Sequence, residues 1–161
     1  MITMERMRWM NHWETNPQKV EALLQKSLVI RLALCDGDQP YIVPVNYGFQ
    51  VNRLIFHSRT TGTKVDLLSN NPQVSFQVDA DVAVVPHDEA CRWSMTFKSI
   101  VGSGTVRLIQ SQEEKIRGLD LICKHYCSTT MKMSTKMIER TNVYEISVTS
   151  LTYRESEPPA E

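Results

Sequence analysis

A proline inside a β-rich run constrains this fold more than any other single residue. The run PYIVPVNYGF, Pro40 to Phe49, is made largely of strong β formers, and Pro44 lies near its centre. Because proline has no backbone N–H, the run cannot be an ordinary central strand with every ladder hydrogen bond made. Two interpretations stay open. The run is an edge strand or bulge that bends a barrel, or its freed backbone groups around Val43 to Asn46 face a flat heteroaromatic ligand.

The next stretch, LIFHSRTTGTK, predicts a strand, a turn and a helix start in succession. Leu54 to Phe56 is a short apolar run, and Thr60 to Gly62 has turn composition. Thr63 and Asp66 have the spacing of an N-terminal cap, so we expect a helix over Thr63 to Ser69 before Asn70, Asn71 and Pro72 end it.

Lys64 stands in the first turn of that expected helix, where the macrodipole favours an acid. A helix N-terminus presents unpaired N–H groups and partial positive charge, which together suit an anion. One interpretation is a phosphate held by Lys64, by the N–H of Thr63, and by the side chains of Ser58 and His57. The other is an exposed lysine with no ligand. The stretch is not a Walker loop, since it lacks that motif's glycines.

The remaining pattern is mostly β, with helices at intervals. Asn16 and Pro17 are a good cap and first residue for an amphipathic helix to Lys26. Three strands are expected, at Leu28 to Cys35, Val74 to Asp79 and Cys91 to Ile109, with a hairpin at Asp36-Gly37 and a bend at Gly102 and Gly104. Ala80 to Ala90 is interpreted as a loop or broken strand.

The C-terminal third predicts one helix and one strand. Ser111 and Glu114 form a capping box for a helix ending near Tyr126. Ser128 to Ser134 is expected to be a flexible connection, and the segment Met137 to Arg154 ends in a strand.

Composition excludes several classes of partner. The chain has 161 residues, enough for one domain with a sizeable core, and carries 18 basic against 18 acidic residues. No net field attracts nucleic acid or an anionic membrane. No apolar run is long enough to span a membrane, and the N-terminal segment has no signal-peptide core, so we expect a cytoplasmic protein.

The four cysteines are expected to be thiols in a chain of this size without an export signal. Cys123 and Cys127 lie one helical turn apart and could share a metal ion. No second ligand pair at zinc-site spacing accompanies them, so we expect core cysteines and no metal site.

Three segments carry a family resemblance: PYIVPVNYGF, then LIFHSRTTGTKVDLLSNNPQVSFQVD, then MTFKSIVGSGTVRLI. Together they resemble the FMN-binding split β-barrel superfamily, pyridoxamine 5'-phosphate oxidase-like, and most of all its nitroimidazole-resistance branch. The resemblance implies a mainly β fold with flanking helices (α+β), an antiparallel split barrel. It also implies one domain over 1–161, with peripheral ends at 1–13 and 154–161.

The resemblance also implies a cofactor site. The first strand would lie along the isoalloxazine ring, the strand, turn and helix start would hold the phosphate, and a second strand would line the other side. His57 is the one candidate for a catalytic role, and its alternative is a hydrogen-bond partner of the phosphate or backbone. Carried over by position, the cofactor-binding residues are Val43, Pro44, Val45, Asn46, Tyr47, Phe56, His57, Ser58, Gly62, Thr63, Lys64, Lys98, Ser99, Ile100 and Val101.

The implied function is that of an FMN-dependent oxidoreductase, with nitroaromatic (5-nitroimidazole-type) compounds as candidate acceptors and a nicotinamide as candidate donor. The family implies a homodimer with the cofactor at the interface, and Trp93 is expected either to fill that interface or the core or to cover the flavin. The alternative is a non-catalytic flavin- or haem-binding protein on the same barrel. Vitamin B6 oxidation is not expected, because Arg154 lacks the Arg-Leu-x-Pro neighbours of the enzymes that oxidise pyridoxamine phosphate.

Overall fold

The computed structural model describes residues 16–50, 52–127 and 133–156. The predicted N-terminal segment 1–13 lies outside these ranges, as do most of the predicted connection and the last five residues of the tail. The described elements in chain order are α1 (Pro17–Lys26), β1 (Ile30–Asp36), β2 (Gln39–Val45), β3 (Tyr47–Gln50), β4 (Arg53–Arg59), α2 (Thr63–Asn70), β5 (Gln73–Val85), a 3₁₀ turn (Ala90–Arg92), β6 (Ser94–Leu108), α3 (Gln112–Tyr126), α4 (Thr135–Glu139) and β7 (Thr141–Ser156).

The seven strands form one antiparallel sheet in the order β2-β1-β5-β6-β7-β4-β3. The two edge strands of that sheet, β2 and β3, are consecutive in the chain and are separated only by Asn46. A sheet whose two edges are one residue apart must curl round on itself. The predicted antiparallel split barrel, mainly β with flanking helices, is therefore confirmed.

Alternating side chains from every strand fill the barrel. The β5–β6 register places Phe76 opposite Gly102, and a Cβ on Gly102 would stand 2.3 Å from the Cζ of Phe76. Glycine at 102 therefore makes room for a ring that is almost fully buried. The main core cluster also takes in α1 through Leu23 and Leu24, and α2 through Leu67 and Leu68.

Helix α3 packs on the outside of the barrel through a second, smaller cluster. Its backbone approaches β3 closely at Gly48, where a Cβ would lie 2.7 Å from the carbonyl carbon of Leu121. Gly118 on the helix lies close to the side chains of Ile55 and Val143. No helix in the described part of the chain is both long enough and apolar enough to cross a membrane.

Elements with strong local signals form where they were predicted. The side chain of Asn16 accepts a hydrogen bond from the N–H of Gln18, and α1 begins at Pro17 as expected. Gly37, with φ of 58°, supplies the left-handed residue of the β1–β2 hairpin. Ser111 accepts from the N–H of Glu114 and caps α3.

Three boundaries differ from the prediction. The run Pro40 to Phe49 forms two strands rather than one, because the chain leaves the β2 edge at Asn46 and starts the opposite edge at Tyr47. Thr63 is not a helix cap: Gly62, with φ of 121°, is the N-cap, and Thr63 is the first helical residue. Over Ala80 to Ala90 the loop interpretation is wrong in the first half and the broken-strand alternative fits there, since Ala80 and Ala83–Val85 pair with β6 with a register shift between them.

The C-terminal segment also differs from the prediction. The helix α4 precedes the last strand, with Ser134 as its cap and Ile138 as its buried residue. The predicted peripheral tail begins at 154, whereas β7 runs to Ser156 and pairs Ser156 with Phe97.

Candidate functional site

The site is built on a gap between two strand edges, which we call the split. Strand β3 pairs with β4 only as far as Tyr47 and Phe56. Beyond that pair, His57, Ser58 and Arg59 continue along β7 on one side, while β2 turns away to pair with β1. Among the described residues, no strand pairs with the second edge of β2. Unpaired backbone groups from Val43–Asn46 and from His57–Arg59 therefore flank the same opening.

Pro44 lies within the edge strand β2, opposite Arg31 of β1. An edge is the one part of a sheet where a residue without an N–H costs no ladder hydrogen bond. The sequence prediction that Pro44 excludes a central strand is therefore confirmed. The edge position fits both interpretations of the run, a bend in the barrel and a ligand along the strand.

The N-terminus of α2 closes one end of the split. Gly62 has open space where a Cβ would be, and its carbonyl accepts from the N–H groups of Val65 and Asp66, at 2.7 and 3.2 Å. The N–H groups of Thr63 and Lys64 belong to the first turn, where a helix has no internal acceptors. This tip presents donors and the positive end of the dipole.

Lys64 is the charged group of this tip. Its Nζ lies 5.8 Å from the centre of the Phe56 ring, and no carboxylate of the described residues forms an ion pair with it. Burial lowers the pKa of Lys64 from its ordinary value. A half-buried ammonium without an acid partner has unused capacity to pair with an anion.

His57 and Ser58 stand on the strand beside this lysine. Neighbouring atoms partly desolvate the imidazole of His57, and this burial, together with the positive charge of Lys64, lowers its pKa. His57 is therefore neutral near pH 7. The hydroxyl of Ser58 donates to the carbonyl of Arg59 at 2.6 Å, which leaves its lone pairs available as acceptors only.

Arg59 is a second cation at this end of the split, and sequence reasoning passed over it. It is exposed at the last position of β4, three residues before Gly62. The signal was present in the same HSRTTGTK stretch, since Arg59 and Lys64 bracket the turn.

Four of the predicted residues, Val45, Tyr47, Phe56 and Ile100, are core residues, and two of them are aromatic. Tyr47 is fully buried, and its hydroxyl lies 2.7 Å from the carbonyl of Leu24. Burial raises the pKa of that hydroxyl, so Tyr47 does not ionise in the working range. Phe56 is also buried and stacks on Tyr144 with ring centres 5.0 Å apart. Both side chains belong to the core of the barrel, so these two residues reach the split through their backbone rather than through a polar side-chain contact.

The predicted facing strand does not reach the split within one chain. Lys98–Val101 lies on β6, three strands from β2 in the sheet order, or roughly 14 Å at the spacing of neighbouring strands. The strand is paired on both edges, as Ser99 shows with Asp79 on one side and Arg154 on the other. Lys98 forms an ion pair with Asp81 at 3.1 Å. Ile100 points into the core, and Val101 is exposed on the outer face.

A large cavity lies elsewhere, at the mouth of the barrel between α1 and α3. Its volume is about 780 Å³, and its lining is mainly apolar. The sequence prediction missed it, because the residues that meet there are far apart in the chain and belong to five separate elements. They include Val20, Leu24, Phe49, Leu54, Leu121 and His125.

The four cysteines are free thiols, as predicted. Burial raises the pKa of Cys123, and the Sγ of Cys127 lies 3.1 Å from the carbonyl of Cys123. In the described ranges, no group of three or more histidine, cysteine or acidic side chains is arranged to hold a metal ion.

Comparison with known proteins places these features in a family. The sequence profile described as pyridoxamine 5'-phosphate oxidase matches residues 16–155, which covers every strand and helix from α1 into β7. This chain belongs to that family. The superfamily inferred from the three sequence segments is therefore confirmed.

Solved structures of this fold agree closely. A protein from Bacteroides thetaiotaomicron VPI-5482, named for 5-nitroimidazole antibiotic resistance, superposes with a TM-score of 0.80 at 26% identity, over 88% of this chain and 84% of that one. A Mycobacterium smegmatis protein that binds FAD and haem gives 0.83 at 18% identity, over 92% and 76%. The flavocytochrome Anf3 from Azotobacter vinelandii gives 0.80 at 18%, over 96% and 72%.

One curated relative is also similar in sequence. An uncharacterized protein of Rhizobium meliloti strain 1021 is 50% identical over 48 residues, which is 30% of this chain and 31% of that protein. The match spans less than a third of that relative's length, and the name of that relative states no activity.

Proposed function

We propose that this protein is a flavin-dependent oxidoreductase that holds FMN in the split. The observation that carries the proposal is Lys64, a half-buried cation without an acid partner at the open tip of α2. A phosphate monoester supplies the two negative charges and the acceptor oxygens that this tip lacks. The first N–H groups of α2 would complete the contacts, with Arg59 on the solvent side, and Ser58 would join them by turning its hydroxyl away from the carbonyl of Arg59.

The free edge of β2 suits the other end of the same ligand. The isoalloxazine ring carries donors and acceptors in its plane, and the backbone of Val43–Asn46 offers unpaired groups along one line. The buried rings of Tyr47 and Phe56 would keep water out of the core behind these strands. FMN supplies two-electron transfer when bound, and the chain supplies its position and its surroundings.

The electron acceptor that we propose is a nitroaromatic compound, with a nicotinamide as donor. The Bacteroides protein named for nitroimidazole resistance supports this choice at 26% identity. We do not propose oxidation of pyridoxamine phosphate. Arg154 belongs to β7, and its guanidinium lies over the ring of Phe97 at 5.5 Å.

A titration with FMN tests the proposal directly. The expected result is one FMN per chain, with flavin absorbance that bleaches under anaerobic conditions when NADH or NADPH is added and returns when a nitroaromatic is supplied. Bound FMN that no donor reduces would favour a carrier. A protein that binds no flavin at all would refute the proposal.

A second candidate function is a carrier of a planar ligand, haem included, without turnover. The cavity between α1 and α3 favours it, because His125 lies on its wall. The Nε2 of His125 lies 2.8 Å from the carbonyl of Ser27, and Nδ1 has no hydrogen-bond partner within the described residues. A histidine that binds a metal through one ring nitrogen commonly makes a hydrogen bond to a carbonyl or carboxylate through the other. Added haemin would then give a Soret band that His125→Ala abolishes, whereas an unchanged haemin spectrum excludes haem as the ligand.

A further inference from the structure

The cavity between α1 and α3 is a second opening of the barrel, separate from the split. Strand β4 runs between the two sites, since Arg53 at its start lines the cavity and His57 lies beside the split. His57 is four positions after Arg53, which is roughly 14 Å along a strand. None of the residues that we assign to FMN, all of them in the described part of the chain, lines the cavity. A ligand of the cavity would therefore bind apart from the flavin.

The interior of this cavity is apolar and partly aromatic. Its volume of about 780 Å³ is within the range of pockets that hold small organic molecules. Leu24 and Leu54 on its wall also belong to the barrel core. The ring of Phe49 stands at 81° to the imidazole of His125, with the two ring centres 6.3 Å apart. These rings offer an aromatic ligand the edge-to-face contacts that such groups prefer.

The charged side chains around this apolar interior are mostly basic. Arg53 and Lys124 both line the cavity, whereas Glu21 is the one acid among the lining residues that the structure describes. Lys124 is already paired with Asp120 at 2.7 Å. The charge at the cavity therefore favours a ligand with an acidic group over one with a basic group.

Arg53 is the cation of this cavity that is held in position and still has donors to offer. Its Nη2 donates to Glu145, a buried carboxylate that also accepts from Arg107 at 3.0 Å. Its Nε and Nη1 form no hydrogen bond with the described residues. Because Glu145 holds the guanidinium, less side-chain entropy is lost when Nε or Nη1 binds a carboxylate.

We propose that this cavity binds an aromatic carboxylate, with the ring between α1 and α3 and the carboxylate on Arg53. The apolar walls would take up the ring, and the free N–H groups of Arg53 would pair with the acid. Such a ligand needs neither iron nor flavin, so the inference goes beyond both candidate functions. Haem bound through His125 would fill the same space, and the two ligands would exclude each other.

Calorimetric titration of the full chain, without flavin or haem, tests the inference with two probes of the same shape. The probes are 2-naphthoate, which carries the carboxylate, and 2-naphthylmethanol, its neutral alcohol. The wild type is expected to bind one 2-naphthoate per chain, about fivefold more tightly than the alcohol or better. An absence of 2-naphthoate binding, or equal dissociation constants for the two probes, would overturn the inference.

Replacement of Arg53 tests the contact with the carboxylate. Arg53→Gln should weaken 2-naphthoate binding by about fivefold or more and leave the alcohol unchanged. Arg107→Gln is the matched control, because Arg107 donates to the same carboxylate of Glu145 and does not line the cavity. One arginine still pairs with Glu145 in each variant, so both should fold, and thermal unfolding checks this point. Equal losses of 2-naphthoate affinity in the two variants would contradict the contact with Arg53.

Two further variants locate the ligand. Val20→Trp places an indole in the cavity from a partly buried position of α1 and should abolish the binding of both probes. Lys64→Ala changes the split and should leave both affinities unchanged. Binding that survives Val20→Trp, or that falls in Lys64→Ala, would place the probe outside the cavity and refute the inference.

Discussion

Replacing Lys64 by alanine tests the phosphate end of the split in isolation. The Nζ of Lys64 lies 5.8 Å from the Phe56 ring, and burial has already lowered the pKa of the amine. Much of the cost of removing this charge from water is therefore met in the folded protein before any ligand arrives. A charge-assisted hydrogen bond to phosphate should then contribute about 1.5–3 kcal/mol.

That free energy corresponds to a rise of roughly 10- to 150-fold in the FMN dissociation constant of Lys64→Ala. The contribution should exceed the ~0–1 kcal/mol of an exposed surface pair, because Lys64 is half-buried. Stability should change little, since the contact with the Phe56 ring is worth only about 0.5–1 kcal/mol at a partly exposed site. Thermal unfolding checks this point.

Fluorescence titration with FMN and with riboflavin is the assay. Riboflavin has the same ring and no phosphate, so its affinity should not change in Lys64→Ala. Lys124→Ala is the control variant, because that lysine pairs with Asp120 on α3 at 2.7 Å and touches no residue of the split. Equal FMN affinity in wild type and Lys64→Ala, or an equal loss for riboflavin, would refute the assignment of the phosphate to α2.

Two further predictions concern the barrel and the histidine. Gly102→Ala should destabilise the protein by about 1–3 kcal/mol, because the new Cβ would stand 2.3 Å from the Cζ of the buried Phe76 ring. Urea unfolding measures this change, and an unchanged unfolding midpoint would contradict the packing described at Gly102. In the free protein, burial and the charge of Lys64 lower the pKa of His57, and bound phosphate should raise it. The protonated imidazole therefore contributes fully to FMN affinity below the pKa of the free protein. This contribution is lost as the pH rises through the pKa of the FMN complex. The ratio of FMN affinities of wild type and His57→Asn should therefore grow from pH 8 to pH 6, and a constant ratio would exclude this role.

Sequence signals within a few residues predicted structure well. The cap at Asn16 and the left-handed turn at Gly37 depend on chemistry that a short stretch contains completely, and both form as expected. The sequence left a loop and a broken strand open over Ala80–Val85, because the stability of this strand comes from pairing with Met95 and its neighbours, which are about ten residues further on. Pro86 and the acidic residues after it indicated a loop, and the loop is real but begins later.

The candidate site shows the same difference between residues that are close in sequence and residues whose position depends on the whole sheet. His57, Ser58 and Lys64 are brought together because one strand, turn and helix start hold them within eight residues. Lys98–Val101 was assigned by resemblance alone, and its position three strands away depends on the order of the whole sheet. No local pattern contains that order.

Helix α3 holds the start of β3 beside the split. Gly48 lets the backbone of Leu121 approach β3, which fixes that short strand between α3 and β4. At the end of α3, the hydroxyl of Tyr126 accepts from the N–H of Tyr47 at 2.9 Å and donates to the carbonyl of Leu28 at 2.8 Å. This hydroxyl therefore satisfies the first N–H of β3 and ties it to the segment before β1. Because Tyr47 is held from that side, β2 and β3 diverge at Asn46, and the backbone left open to a ligand is the part that precedes it.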